Sequence, residues 1–330
     1  MTMHNPVTPD AIFQIASGFM ASKHLFAASE LGFFEHLAEG PMTLELLAQR
    51  IGLACRRLRI IADAMVALGL VECHNQWYQN SPVATAFLSG DSSPDLRPFL
   101  RFWNQISYPA WQQFEARLRT GQATFEPADE EGIRIFSEGV EAITSGAGQA
   151  LACTYNFGRH RQVLDLGGGT GSFLLALLGQ YPALKTTLFE LPRVARLARK
   201  RLETAPVVEQ ITIVEGDFFQ DPLPPDHDCV LLAHAVHMFS PERNLTLLQR
   251  IHAAVSSGTR LLLVDFWTDT THTHPLFATL IAGEFLVATG EGDVYSEEEV
   301  RTWLRQSGWC YLTHLPLSGA SSLIVAEAQQ

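Results

Sequence analysis

From residue 161 onward, short β-rich runs alternate with helical stretches: QVLDLG, TTLFEL, ITIVEG, CVLLAHAV and RLLLVDFW. That alternation predicts a parallel sheet covered by helices on both faces, and few other folds accommodate it. Toward the end, SEEEVRTWLRQSGW predicts a helix started by acids and closed by Gly308, and YLTHLPL with SSLIVAEA predicts a final hairpin. At 330 residues, with 47% hydrophobic and 18% charged residues, the chain has room for about two domains and a sizeable core.

The first half reads differently. Residues 9 to 40 have apolar residues at helical spacing until Gly40-Pro41 stops the run. MTLELLAQRIGL follows, with Thr43 as N-cap and Leu44, Leu47, Ala48 and Ile51 on one face. A second helix, CRRLRIIADAMVALG, leads to two short strands around His74-Asn75-Gln76. Helix, turn, helix and hairpin is the order of a winged helix. Residues 1–90 hold five Lys/Arg against seven Asp/Glu, and the whole chain carries a formal charge of -12, so no nucleic-acid partner is expected. The apolar residues Phe13, Phe19, Met20, Leu25, Phe26, Leu31, Phe33 and Phe34 point instead to burial against another chain. Between 91 and 160 lies an aromatic-rich, mainly helical segment with breaks at Gly121 and Pro127, a place where a ligand pocket tends to form; its aromatics include Phe99, Phe102, Trp103, Phe125 and Phe136. The expected division is thus 1–90, 91–160 and 161–330.

Five scattered cysteines without a C-x-x-C pair fit free thiols. The N-terminus lacks the basic start and apolar core of a signal peptide, and no apolar run approaches the ~20 residues of a membrane helix, so a cytoplasmic protein with no membrane partner is expected.

The first strand runs into LGGGTGSF, with glycines at 167, 169 and 171. A dinucleotide fingerprint requires glycine at 172, where Ser172 stands, and a P-loop requires a lysine that is missing. Asp165, two residues before the first glycine, repels a pyrophosphate but suits a cationic amino group. S-adenosylmethionine carries such an ammonium and no phosphate, and the glycines let backbone approach its methionine portion. Glu190 ends the second strand, placed to accept both ribose hydroxyls, and Asp217 ends the third, placed to accept from the adenine amino group with Phe218 against the ring.

LDLGGGTGSF, FELPRV, EGDFF and the HMFSPERNLTLLQRIHAAVSSGTRLLLVDF run resemble the class I methyltransferases of the plant-type O-methyltransferase group, which includes hydroxyindole O-methyltransferases and bacterial tailoring enzymes. The resemblance covers nearly the whole chain. It implies an α/β fold with a Rossmann-like doubly wound sheet and an N-terminal α-helical winged-helix dimerisation domain, assembled as a homodimer. It implies S-adenosyl-L-methionine as cofactor, released as S-adenosyl-L-homocysteine, with Leu191 beside Glu190 and Phe239 against the adenine. It puts the general base at His237 and the acid that orients it at Asp265, acting on a hydroxyl of a small aromatic or polyketide-like acceptor. By the family's topology the acceptor pocket is drawn from Phe19, Met20, Phe102, Trp103, Phe136, Met238, Phe285 and Thr289.

The sequence departs from that pattern. Met238 replaces the family's Asp after the histidine, Phe239 its Trp, Ala233 a lysine of plant relatives, and Val294 its second catalytic glutamate. Two alternatives therefore stay open: C-methylation, or a scaffold repurposed for hydroxylation, decarboxylation or pericyclic chemistry. A winged-helix regulator sensing the cofactor is disfavoured by the acidic N-terminal region. A metal site from His234, His237 and Glu284 lacks a helical H-x-x-x-H or cysteine partner, so no metal is expected.

Overall fold

A computed structural model describes residues 7–90, 94–122 and 129–330 of the chain. Phe125 and Pro127, named above among the aromatics and breaks, lie outside the described residues. The chain divides into two compact units, Met1–Gln105 and Ile106–Gln330.

The first unit opens with α1 (Asp10–Glu30) and α2 (Phe33–Ala38), then β1 (Met42–Thr43), α3 (Leu44–Ile51), α4 (Cys55–Ala67), β2 (Val71–His74), β3 (Trp77–Asn80), α5 (Pro82–Leu88) and α6 (Arg97–Phe102). Thr43 caps α3 by accepting from the Leu46 N–H, and Gly52 ends it in the left-handed conformation. The β2–β3 turn puts Asn75 and Gln76 at φ +50° and +68°, the geometry of a tight two-residue hairpin. β1 joins as a third strand, pairing Met42 with Tyr78. Two residues are too few for an alternating pattern, so the sequence did not reveal it. Phe33, Phe34, Leu47, Leu58 and Met65 are fully buried and form the core of this unit.

The second unit begins with α7 (Tyr108–Trp111), α8 (Phe114–Thr120) and the long α9 (Glu130–Thr154). It continues through β4 (Gln162–Leu166), α10 (Ser172–Gln180), β5 (Lys185–Glu190), α11 (Pro192–Leu202), β6 (Ile211–Glu215), β7 (Cys229–Ala233), α12 (Pro241–Ala254), β8 (Arg260–Phe266), α13 (Leu276–Thr289), α14 (Glu297–Gln306), β9 (Trp309–Pro316) and β10 (Ser321–Ala328). The segment expected as a separate linker is divided: α6 falls in the first unit, while α9 packs along α10 and shares its core through Ala147, Leu151 and Ala152. The seven strands are ordered β6-β5-β4-β7-β8-β10-β9. β4 to β8 run parallel, and β10 inserts antiparallel between β8 and β9. Alternate residues feed the two faces: Val163, Leu231, Leu262 and Val264 pack with α9 and α10, while Leu164, Leu166, Val230, Leu232, Leu261 and Leu263 pack with α12 and α14.

The strand order reverses at β4, with β5 on one side and β7 on the other. In open α/β sheets this switch point, at the carboxyl ends of the strands, is where ligands bind. β7 stops at Ala233, three residues before the expected end. His234 adopts φ +52° and turns the chain into a tight helical turn at Val236–Met238. Among the described residues no helix is long and apolar enough to cross a membrane, and all five cysteines are free.

Candidate active site

The loop leaving β4 is built around a buried acid. Asp165 is fully buried, and neither carboxylate oxygen has a hydrogen-bond partner. Burial, then the charge of Glu190, pushes its pKa up to about 8. The carboxylate lies beneath the loop: a Cβ on Gly168 would fall 2.3 Å from Asp165 Oδ2 and 2.5 Å from Leu188 Cδ1. Gly168 is thus the glycine that cannot acquire a side chain for want of space, and the sequence reading, which singled out its neighbours, missed it. The signal was the unbroken GGG. Gly167, Gly169 and Gly171 are set apart differently, by φ values of +69°, +58° and +88°.

Glu190, at the end of β5, folds back onto this loop. One oxygen accepts from the Gly169 N–H at 2.9 Å and the other from the Leu191 N–H at 2.7 Å. Burial raises its pKa, an effect these two N–H groups oppose. The Leu191 side chain itself is 49% exposed. A further group pins the loop from outside. The Thr170 hydroxyl donates to Glu141 on α9 and accepts from Arg201 on α11, while Arg201 also pairs with Glu141. No local pattern marks Glu141 or Arg201, because their meeting depends on the packing of two helices.

Asp217 follows β6 in a turn that it caps itself, accepting from the Phe219 N–H at 2.8 Å and from Gln220 at 2.9 Å. Phe218, Phe219 and Phe239 form an edge-to-face cluster, with centroids 4.9 to 5.8 Å apart, and Arg243 lies over Phe219 and Phe239. The ring of Phe218 is 3.2 Å from the position of a Cβ on Gly167. These rings therefore flank the loop.

The histidine and acid of the fourth and fifth parallel strands meet. His237 Nδ1 lies 2.5 Å from Asp265 Oδ1, and its backbone N–H donates to Oδ2 at 3.3 Å. The Phe266 N–H donates to the same Oδ1 at 2.8 Å. Burial opposes the charge of Asp265, but His237 and these hydrogen bonds outweigh it and hold its pKa below the usual carboxylate range. The imidazole is 7% exposed and stacks on Phe285 with centroids 3.6 Å apart. With Nδ1 held by the acid, Nε2 is the nitrogen left to exchange a proton.

Asp265 also lies near His234, and the three residues bring one ligand atom each within 4.8 Å of one another. Glu284, considered above as the third group, is elsewhere: it accepts from Ser107 at 2.6 Å and from Trp111. Val294 is buried with Phe266, Ala278 and Phe285, an apolar residue in an apolar cluster. Met238 packs against the same cluster. Thr289 spends its hydroxyl within the last turn of α13, donating to Phe285 O and accepting from the Glu291 and Gly292 N–H groups. Phe136 is half-buried on α9. In the first unit Phe19 and Met20 stand exposed on α1, Phe102 is buried at the end of α6, and Trp103 packs on Phe99 at 4.4 Å.

The residues around the loop fit S-adenosylmethionine. A buried carboxylate with no partner lies under a loop that excludes side chains, a second acid lines its edge, and aromatic rings flank it.

Comparison with known proteins agrees. Residues 112–310 match the model of the O-methyltransferase domain, and residues 13–90 that of the O-methyltransferase dimerisation domain. The chain is 30% identical to the tetracenomycin polyketide synthesis 8-O-methyl transferase TcmO of Streptomyces glaucescens, over 99% of both chains. It is 32% identical to the 3-hydroxy-5-methyl-1-naphthoate 3-O-methyltransferase of Streptomyces sahachiroi, over 91% of this chain and 89% of the other. Among solved structures, human N-acetylserotonin methyltransferase in complex with SAM superimposes with a TM-score of 0.91 at 25% identity, covering all of both chains.

Proposed function

We propose that this chain, which belongs to the O-methyltransferase family and is an S-adenosyl-L-methionine-dependent O-methyltransferase, methylates a hydroxyl of a small aromatic or polyketide-like acceptor with His237 as general base. The observation that carries the reading is the 2.5 Å contact between His237 Nδ1 and Asp265, which leaves Nε2 for the acceptor. The names of the relatives, a polyketide 8-O-methyl transferase and a naphthoate 3-O-methyltransferase, support the acceptor class and favour oxygen over carbon as the methylated atom.

When bound, S-adenosylmethionine supplies an electrophilic methyl group to the acceptor oxygen. Glu190 would accept from its ribose hydroxyls and Asp217 from its adenine amino group, with Phe218 and Phe239 against the ring and Leu191 at its edge. Gly167, Gly169 and Gly171 would present backbone to the methionine end, with Asp165 as the negative charge beneath. An acceptor hydroxyl donates to His237 Nε2. As its oxygen attacks, the proton passes to Nε2, and Asp265 stabilises the imidazolium through Nδ1. Phe285 fixes the plane of the imidazole, so alignment is set before the acceptor arrives. Phe136, Met238 and Phe285 are the second unit's apolar candidates for holding a flat acceptor. Thr289 contributes backbone order rather than a free hydroxyl.

The dimerisation domain supports a homodimer, as do the exposed apolar residues of α1: Ile12, Phe13 and Ile15 are 65–81% exposed. The five free thiols suit a cytoplasmic enzyme. Incubation with methyl-labelled S-adenosylmethionine and a panel of phenols and hydroxynaphthoates tests the reading. Label in an acceptor ether is expected; cofactor binding without any labelled ether across the panel would overturn it.

A further inference from the structure

Asp265 has a second imidazole beside it, one that the proposed reaction leaves unused. His234 Nδ1 lies 3.9 Å from Asp265 Oδ1, the same oxygen that holds His237. Its backbone, at φ +52°, is in the left-handed region that strains any residue with a branched or bulky side chain. The His234 N–H donates to Val264 O at 2.7 Å, which locks that turn onto β8. The side chain is 8% exposed and sits between the rings of Phe173 and Phe266, 6.1 and 5.0 Å away. Its Nε2 is buried and has no hydrogen-bond partner.

Burial pushes the His234 pKa down to about 4, so the ring is neutral near pH 7 and carries one N–H. Nδ1 faces the Asp265 carboxylate at 3.9 Å, too far for a hydrogen bond, and the negative charge there favours the proton on that nitrogen. Nε2 is then a bare acceptor, buried and unmatched. Buried polar atoms without partners are rare in native folds, and backbone strain concentrates at functional sites. Both features fall on one residue, next to the acid that orients the base.

We propose that His234 is a ligand-binding residue whose Nε2 accepts a hydrogen bond from a donor on a bound ligand, in the first place a second hydroxyl of the acceptor. This rests on the reading of His237 and Asp265 as the methylating pair, because the His234 ring lies 6.1 Å from that of His237, within the span of one small aromatic acceptor. The enzyme would then prefer dihydroxylated over monohydroxylated aromatic acceptors. The ammonium of S-adenosylmethionine is a donor of the same chemistry, and the experiment separates the two sources.

The test compares wild type with His234→Asn and His234→Phe. Asparagine tolerates the left-handed backbone but is too short to reach the ligand, and phenylalanine keeps the ring volume. The readouts are kcat/KM for 1,3-dihydroxynaphthalene and for 1-naphthol, and the Kd of S-adenosylmethionine by calorimetry. Both variants are expected to lose about 10- to 100-fold in kcat/KM for the dihydroxylated acceptor, with 1-naphthol and the Kd within about twofold of wild type. A rise of about tenfold in the Kd, with both acceptors falling together, identifies the ammonium as the donor and upholds Nε2 as its acceptor. Unchanged values throughout, or equal losses for both acceptors at constant Kd, overturn the proposal. Should wild type turn over neither acceptor, the proposed function fails first, and the calorimetric arm then decides: an unchanged Kd in both variants overturns the role of His234.

Discussion

Replacing Asp165 with asparagine should stabilise the ligand-free protein at alkaline pH while weakening its hold on the cofactor. The carboxyl is fully buried with no partner, and its pKa stands at about 8 against an ordinary value near 4. Between those values the folded protein keeps a proton that the unfolded chain has lost, so stability falls as pH rises through the window and levels off above about pH 8. The slope is about 1.4 kcal/mol per pH unit and flattens as pH nears 8, which gives roughly 2.3 kcal/mol from pH 6 to pH 8. For a unit of this size each kcal/mol moves Tm by about 2–4 °C. Asp165→Asn removes the titration. Without ligand, its Tm should gain about 5–10 °C relative to wild type between pH 6 and pH 8. A cation placed over the loop favours the ionised carboxylate, so wild type should release a proton on binding S-adenosylmethionine near pH 7, seen by calorimetry in buffers of different ionisation enthalpy. Its affinity should rise with pH up to about 8, whereas that of the variant should be weaker and flat. Parallel Tm curves for the two proteins across pH 6–8 would refute the argument.

Three more outcomes follow from the geometry. Gly168→Ala forces a Cβ to within 2.3 Å of Asp165 Oδ2 and should cost about 1–3 kcal/mol in thermal unfolding together with cofactor affinity; a wild-type Tm would show that the loop has slack. Glu141→Ala frees Thr170 and Arg201 and should raise the S-adenosylmethionine Kd by about 5- to 10-fold with kcat retained at saturation, whereas a fall in kcat alone would contradict a role in holding the loop. Phe285→Ala removes the ring stacked on His237 and should lower kcat by about tenfold or more without changing the cofactor Kd, as read in single-turnover assays.

Much of the architecture was legible because it rests on periodicity. The alternation from residue 161 gave the parallel sheet, and the hairpin signals at both ends of the chain correspond to β2–β3 and β9–β10. β7 was read three residues too long because Ala235 and Val236 continue its apolar character; the left-handed His234 ends the strand, and with no glycine or proline there that turn carries little signal. In the site, the pairing of His237 with Asp265 was implied by the family resemblance, and the two meet because β7 and β8 are adjacent parallel strands. Glu141 with Arg201, and Glu284 with Ser107 and Trp111, were hidden because each contact joins elements far apart in sequence. Thr289 was read as pocket lining, and nothing in the sequence disclosed that its hydroxyl closes α13. Tertiary packing decides such contacts, and no local pattern encodes them.

The central claim is that His237 takes the proton of the acceptor hydroxyl with Asp265 behind it. Transfer of labelled methyl to a hydroxynaphthoate, measured for wild type and His237→Ala at saturating S-adenosylmethionine with the cofactor Kd determined in parallel, tests it most directly. The geometry predicts a loss of about 10²- to 10⁴-fold in kcat with the Kd within about twofold of wild type. Retention of full turnover in His237→Ala would contradict it.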